Sequence, residues 1–229
     1  MLLLAIDTAT PSVSAGLIEV TEAAAPRLLA ERIVVDPRAH GELLTPLVRS
    51  AVESAGRALG DIDAIAAGVG PGPFTGLRVG MVTAAALGDA LDRPVYPVCS
   101  LDAARAAAVE DGTQPGPLLV VSDARRRELY WARYDTSGAR THGPEVATPA
   151  ALAERLPELD VAAVAGPMAS THAPLFELPV HSEVGPTPLG LARVIAAAAL
   201  ERGEPRPLVP LYLRRPDAVA PGAPKRVTT

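Results

Sequence analysis

The chain has 229 residues, of which 48% are hydrophobic and 21% charged, a globular balance long enough for one large domain or two lobes around a sizeable core. A formal net charge of -5 and a pI near 5.4 argue against an autonomous nucleic-acid binder, whose phosphate contacts need a clustered Lys/Arg surplus, so any RNA contact is expected to be shared with a partner. The lone cysteine Cys99 leaves no intramolecular disulfide, the opening Met1 to Asp7 has no basic leader region, and the apolar stretch 64–91 is broken by Pro71, Pro73, Arg78 and Asp89. A cytoplasmic protein without a membrane role is expected. Aromatic residues make up only 3%, so Ala and Val must build the core, with helices approaching their neighbours closely.

Leu2 to Asp7, Val13 to Val20 and Leu28 to Val35 are apolar runs separated by turn-forming residues, and they read as a three-stranded meander. Leu43, Leu44, Leu47, Val48, Ala51, Val52 and Ala55 then recur at helical spacing, which predicts a helix over Gly41 to Ala55. Ala64 to Val69 is a strand that runs into Gly-Pro-Gly-Pro, Phe74 to Leu91 has helical length, and Val95 to Val98 is a further strand. The order is βββαβαβ. The second half repeats it loosely, with strands at Leu118 to Asp123, Glu128 to Asp135 and Val161 to Ala165, a helix capped by Thr148 that begins at Pro149, and another over Pro188 to Glu201. Each half opens on an apolar strand ending in Asp (Asp7, Asp123) and later sends a strand into Gly-Pro (Gly70-Pro71, Gly166-Pro167), which suggests a duplicated lobe. From Arg214 to Thr229 no periodicity remains, and disorder is expected there.

The block from Gly68 to Gly80 holds most of the chemical signal. A strand, a Gly-rich turn and a helix start would expose backbone N–H groups to an anion, yet no Gly-Lys-Ser/Thr follows and the spacing is not Gly-x-Gly-x-x-Gly. Gly76, Gly80, Ala84 and Gly88 recur every four residues, as close helix packing requires. Asp7, followed by Thr8 and Thr10, sits where a carboxylate could hold a magnesium water beside a phosphate, or could equally close a turn. His40, His142, His172 and His181 form no ligand pattern, and Cys99-Ser100 has no patterned base. Arg125-Arg126-Arg127 falls in a turn between strands, either as a solvated tip or as an RNA-backbone or partner contact.

Four ordered motifs carry a family resemblance: Ile6-Asp7-Thr8-Ala9-Thr10, the block Gly70 to Gly80 with its Phe-Thr-Gly-Leu-Arg core, Asp123 to Tyr130, and Pro210-Leu211-Tyr212-Leu213-Arg214. Over residues 1–214 the chain resembles the TsaB (YeaZ) family. The resemblance implies an α/β, actin-like (ASKHA) two-lobed fold, each lobe RNase H-like with a mixed βββαβαβ sheet. The N-terminal lobe would span 1–102, a degenerate second lobe 103–213, and a tail 214–229. The implied function is that of a non-catalytic scaffold and activating subunit in the complex that makes N6-threonylcarbamoyladenosine at position 37 of tRNAs reading codons that begin with A.

The implied partners are the catalytic paralogue TsaD and the ATPase TsaE, with tRNA met only inside the complex and a homodimer left open for the isolated chain. No cofactor is expected on the chain itself; ATP and a metal belong to the partner subunits. The paralogue's metal-binding His-x-x-x-His falls by register on Ser100 and Ala104, neither of which ligates as imidazole does. Pro73 replaces a family Ser and removes one N–H and one hydroxyl from the loop, and Gly166-Pro167-Met168 replaces the Gly-Gly turn of actin-like ATPases. A weak, vestigial phosphate site at Asp7, Thr8, Gly70 and Gly72 is therefore expected. The partner surface is expected on the two long helices, at Leu43, Leu47, Val48, Val52, Gly76, Gly80 and Ala84. Leu43 and Val52 bound an apolar arc wider than the ~100° stripe that covers one sheet, so one edge should be core and the other interface. The competing functions are a glycopeptidase-like metallopeptidase, which the missing His pair disfavours, and an actin-like small-molecule kinase, which would need Asp7 at a magnesium site.

Overall fold

The computed structural model describes residues 1–109 and 113–214. The tail expected from 214 onward therefore lies, after Arg214, outside the described residues. β1 (Leu2–Asp7) pairs antiparallel with β2 (Ser12–Glu19), which pairs antiparallel with β3 (Arg27–Val35). On the other side β1 runs parallel to β4 (Ala64–Gly68), and β4 runs parallel to β5 (Val95–Val98), giving the order β3-β2-β1-β4-β5. The helices α1 (His40–Ser54) and α2 (Phe74–Leu91) supply the crossovers.

Both faces of this sheet are covered, which is why β1 reads as a continuous apolar run. Leu4 and Ile6 point to the face that α1 and α2 cover, where Leu44, Val48, Val52 and Ala84 meet them. Leu3 and Ala5 point the other way.

The second sheet is built the same way from β6 (Leu118–Asp123), β7 (Leu129–Tyr134), β8 (Arg140–Ala147), β9 (Ala163–Ala165) and β10 (Val180–Ser182), in the order β8-β7-β6-β9-β10. Strands β8-β7-β6 are antiparallel and β6-β9-β10 parallel, matching the first sheet strand for strand. The duplication inferred from sequence is thus a repeat of sheet topology in a two-lobed α/β fold. α4 (Pro149–Leu159) starts as expected, with Pro149 in its first turn and the Thr148 hydroxyl accepting from the Ala151 N–H.

Two helices tie the lobes together. α3 (Ser100–Ala108) follows β5 of the first lobe, yet it packs Leu101 and Ala104 into the second lobe's core with Val120, Ala132 and Tyr134. α6 (Pro188–Leu200), which follows β10, packs Leu191, Ala192 and Ile195 onto the first sheet with Leu3, Ala5 and Ile18. The two helices cross at Gly190, where a Cβ would lie 2.3 Å from the Ala103 carbonyl oxygen. That is the close approach expected of a core poor in aromatics. Between β9 and β10 lies α5 (Ala169–Phe176).

Candidate functional site

β1 ends on Asp7 at the floor between the lobes. The Asp7 carboxylate is buried, and both of its oxygens are engaged: Oδ1 accepts from the Ala9 N–H at 2.8 Å and Oδ2 from the Ser100 hydroxyl at 2.5 Å. A Cβ on Gly68 would lie 1.9 Å from Oδ2, so only glycine leaves room for this carboxylate beside β4. Burial pushes its pKa from 3.8 up to about 6, against the lowering effects of the Ser100 and Ala9 hydrogen bonds and of His40. The Ser100 N–H also donates to the Gly70 carbonyl at 2.7 Å, so the N-terminus of α3 is clamped to β1 and to the Gly-rich loop.

The residues expected to form a vestigial phosphate site do converge, but on one another. A Cβ on Gly72 would stand 2.2 Å from the Ala9 carbonyl oxygen, and one on Gly76 2.6 Å from that of Thr8. The Thr8 hydroxyl is turned inward and donates to the Gly76 carbonyl at 2.7 Å. The loop and the end of β1 thus lie backbone on backbone. Pro73 stands at the N-cap of α2 and supplies no side-chain cap.

On the long helices, Val48, Val52, Gly76, Gly80 and Ala84 are buried within the first lobe itself. Gly80 lies over Thr8, where a Cβ would be 2.2 Å from Oγ1. These positions of the expected partner surface are already packed by the chain's own sheet. Leu43 and Leu47 are only half-buried, which makes the Leu43 side of the α1 arc the open edge and Val52 the core edge. On α2 the outward stripe includes Val82, 67% exposed, with Ala85, Ala86 and Ala90 exposed beside it.

Arg125, Arg126 and Arg127 form the turn between β6 and β7, all exposed and all in the left-handed region at φ 61°, 53° and 61°. The turn is held by the Arg125 N–H donating to Asp123 Oδ1 at 2.8 Å and by the pair Ala124 N–H to Glu128 carbonyl and Glu128 N–H to Arg125 carbonyl, each 3.0 Å. Opposite it, the closing motif straps the lobes together. The Leu211 N–H donates to the Val69 carbonyl, Tyr212 packs on Phe74 with ring centroids 4.8 Å apart, and Arg214 reaches the Ala124 carbonyl and the Glu128 carboxylate. Arg78 lies over the Phe74 ring at 3.7 Å and donates to the Tyr212 hydroxyl at 3.3 Å. A cavity of about 160 Å³ lies between the turn and this strap. The cluster of Phe74, Arg78, Tyr212 and Arg214 does not stand out as a site in the sequence; its only signal there is that Phe74 and Arg78 fall in one family motif and Tyr212 and Arg214 in another.

Ser100 is buried against Asp7, and Ala104 is buried in the second lobe's core. Among the described residues, no three His, Cys, Asp or Glu side chains gather as a metal-ligand group, and no helix is long and apolar enough to cross a membrane. Burial pushes the Cys99 thiol up to about 11, with Asp102 adding to the rise.

The family model for TsaD, tRNA N6-adenosine threonylcarbamoyltransferase, matches residues 28–185. An uncharacterized protein of Mycobacterium tuberculosis is 52% identical over 215 residues, 94% of this chain and 92% of its own length. The tRNA threonylcarbamoyladenosine biosynthesis protein TsaB of Escherichia coli is 36% identical over 165 residues, 69% of this chain and 68% of that protein. YeaZ from Pseudomonas aeruginosa superposes with a TM-score of 0.70 at 30% identity, covering 93% of this chain and 99% of that one. With the four motifs assembled around one interlobe floor and these likenesses spanning both lobes, the chain belongs to the TsaB (YeaZ) family.

Proposed function

We propose that this chain is the non-catalytic, activating subunit of the assembly that makes N6-threonylcarbamoyladenosine at position 37 of tRNAs reading codons that begin with A. A role in threonylcarbamoyladenosine biosynthesis follows from the family and its relatives. The observation that carries the finer reading is the state of the interlobe floor. At the two positions where the catalytic paralogue's metal ligands fall by register, this chain has Ser100, whose hydroxyl is taken up by Asp7, and Ala104, a methyl in the core. The same floor disfavours the small-molecule kinase, because Asp7 has both oxygens engaged and the Gly-rich loop is closed on Thr8 and Ala9.

In this reading TsaD is met through the open edge of α1, at the half-buried Leu43 and Leu47, and through the exposed Val82 stripe of α2. TsaE joins the pair, tRNA is met within the assembly, and ATP and the metal are held by the partner subunits. The isolated chain could use the same edge to form a homodimer. The assembly is cytoplasmic. Affinity purification from the native host with identification of bound proteins tests this: TsaD and TsaE should come along. Recovery of neither, with the chain folded and expressed, refutes the reading.

A further inference from the structure

We propose that the mouth between the lobes, running from Arg38 across Pro73 to Arg125 and Tyr212, is where this chain engages single-stranded RNA: its arginines take backbone phosphates and the Phe74, Tyr212 and Arg78 stack takes an unpaired base. The inference rests on the tRNA role proposed above and adds a surface and a mode of recognition to it.

Continuity of the surface is the first support. The cavity of about 160 Å³ at the strap and a second of about 270 Å³ beside α1 share Pro73 and Arg125 as walls, so they form one track rather than two separate hollows. Along it stand Arg38, Arg78, Arg125 and Arg214, with Arg126 and Arg127 on the adjoining turn. The carboxylates on the track are Asp36, Asp123 and Glu128. Asp36 accepts from the Arg38 N–H, Asp123 accepts from the Arg125 N–H and lies 3.7 Å from the Arg125 guanidinium, and Glu128 pairs with Arg214. In a chain of net charge -5 this is a local reversal of sign, and its complement is a polyanion.

The second support is the aromatic ladder. Tyr212 stays 39% exposed although it packs on Phe74, and the Arg78 guanidinium lies over the same ring. An amphipathic ring beside a guanidinium plane suits an unstacked base, the feature that separates recognition of loops from recognition of duplex. The two hollows, of about 160 and 270 Å³, follow one another across Pro73 and Arg125, an elongated shape that suits an extended strand lying across the mouth. The third support is the turn itself. Three consecutive arginines in the left-handed region are each disfavoured, and the Asp123 and Glu128 hydrogen bonds that hold them there keep all three exposed beside the track.

The test measures binding of a labelled anticodon stem-loop RNA to the full chain, alone and paired with the paralogous subunit, over a KCl series. Removing one phosphate-binding arginine should reduce the salt slope by roughly 0.7. Arg127→Gln and Arg38→Gln should each flatten the slope by about that amount, and Tyr212→Leu should weaken binding roughly tenfold at an unchanged slope. Melting followed by the fluorescence of Trp131, the chain's single tryptophan, checks that the variants are folded. Wild-type slope and affinity in all three variants overturn the proposal. So does RNA binding by the pair that is no tighter than by the paralogue alone, or complete displacement of RNA from the chain by ATP with the same arginine dependence, which would make the mouth a nucleotide site. A chain that restores the modified nucleoside in cells while its arginine variants keep the wild-type slope refutes the RNA mouth and leaves the biosynthetic role standing. A chain that shows the predicted slopes but restores nothing does the reverse.

Discussion

Replacing Asp7 by Asn should stabilise the protein at neutral pH. The native carboxylate is buried and its pKa rises from 3.8 to about 6, so the folded state binds this proton more tightly than the unfolded state does. Stability from this group is therefore fully present below about pH 4 and is lost as pH rises through about 6. At 1.36 kcal/mol per pKa unit, the rise corresponds to about 3 kcal/mol of destabilisation at pH 7.5. An Asn amide keeps an acceptor for the Ala9 N–H and presents its NH2 to the Ser100 oxygen, at the expense of two charge-assisted hydrogen bonds. The net gain should be roughly 1–2 kcal/mol, a rise in Tm of a few degrees at pH 7.5 that shrinks toward zero near pH 4.5. Thermal melts of both proteins across pH 4 to 8 measure it. A variant that loses stability at pH 7.5, and loses more there than at pH 4.5, would show that the ionised carboxylate is favourably held and would refute this account of the floor.

Val52→Asp should lower the Tm strongly, by about 3–5 kcal/mol of stability, because it buries an unpaired carboxylate at the core edge of α1; Leu43→Asp, at a half-buried position on the open edge, should lower it clearly less and abolish co-purification with the paralogue. Equal effects of the two on melting would remove the distinction between the edges. Gly80→Ala should cost roughly 1–3 kcal/mol, since its Cβ would meet the Thr8 hydroxyl at 2.2 Å; an unchanged denaturant midpoint contradicts that packing. Cys99, with its thiol pushed up to about 11, should resist alkylation at pH 8 until the chain unfolds, as mass spectrometry of iodoacetamide-treated protein can follow; rapid native modification would contradict the burial.

The first lobe is legible element by element because its strands are continuously apolar and its helices long and periodic. β1, α2 and β5 lie where the sequence puts them, and α1 differs by one residue at each end. The second lobe hides its smaller parts. β8 is an edge strand whose Arg140, Thr141 and His142 are all exposed, so no alternation marks it, and Gly143-Pro144 interrupts it. α5 holds Pro174, and β10 has only three residues. α3 is a short Ala-rich helix with no side-chain cap, and its role depends on lying under the other lobe. Neither that exchange nor the return of α6 to the first sheet leaves a local trace, because both are set by which apolar face each lobe lacks. For the same reason Asp7 is legible as a special position while its partner Ser100, 93 residues away, is not. The glycines at 76 and 80 are legible as packing devices, and the neighbour they meet within the chain is Thr8.

Reconstitution asks whether this chain activates its partners without catalysing transfer itself. Threonylcarbamoyl transfer to an unmodified tRNA should be measured with TsaD and TsaE from the same host, with and without this chain, and with this chain alone. Transfer should occur only when the chain joins its partners, with none from the chain by itself, as the proposed non-catalytic role requires. Transfer at full rate without the chain, or transfer by the chain alone, would contradict it.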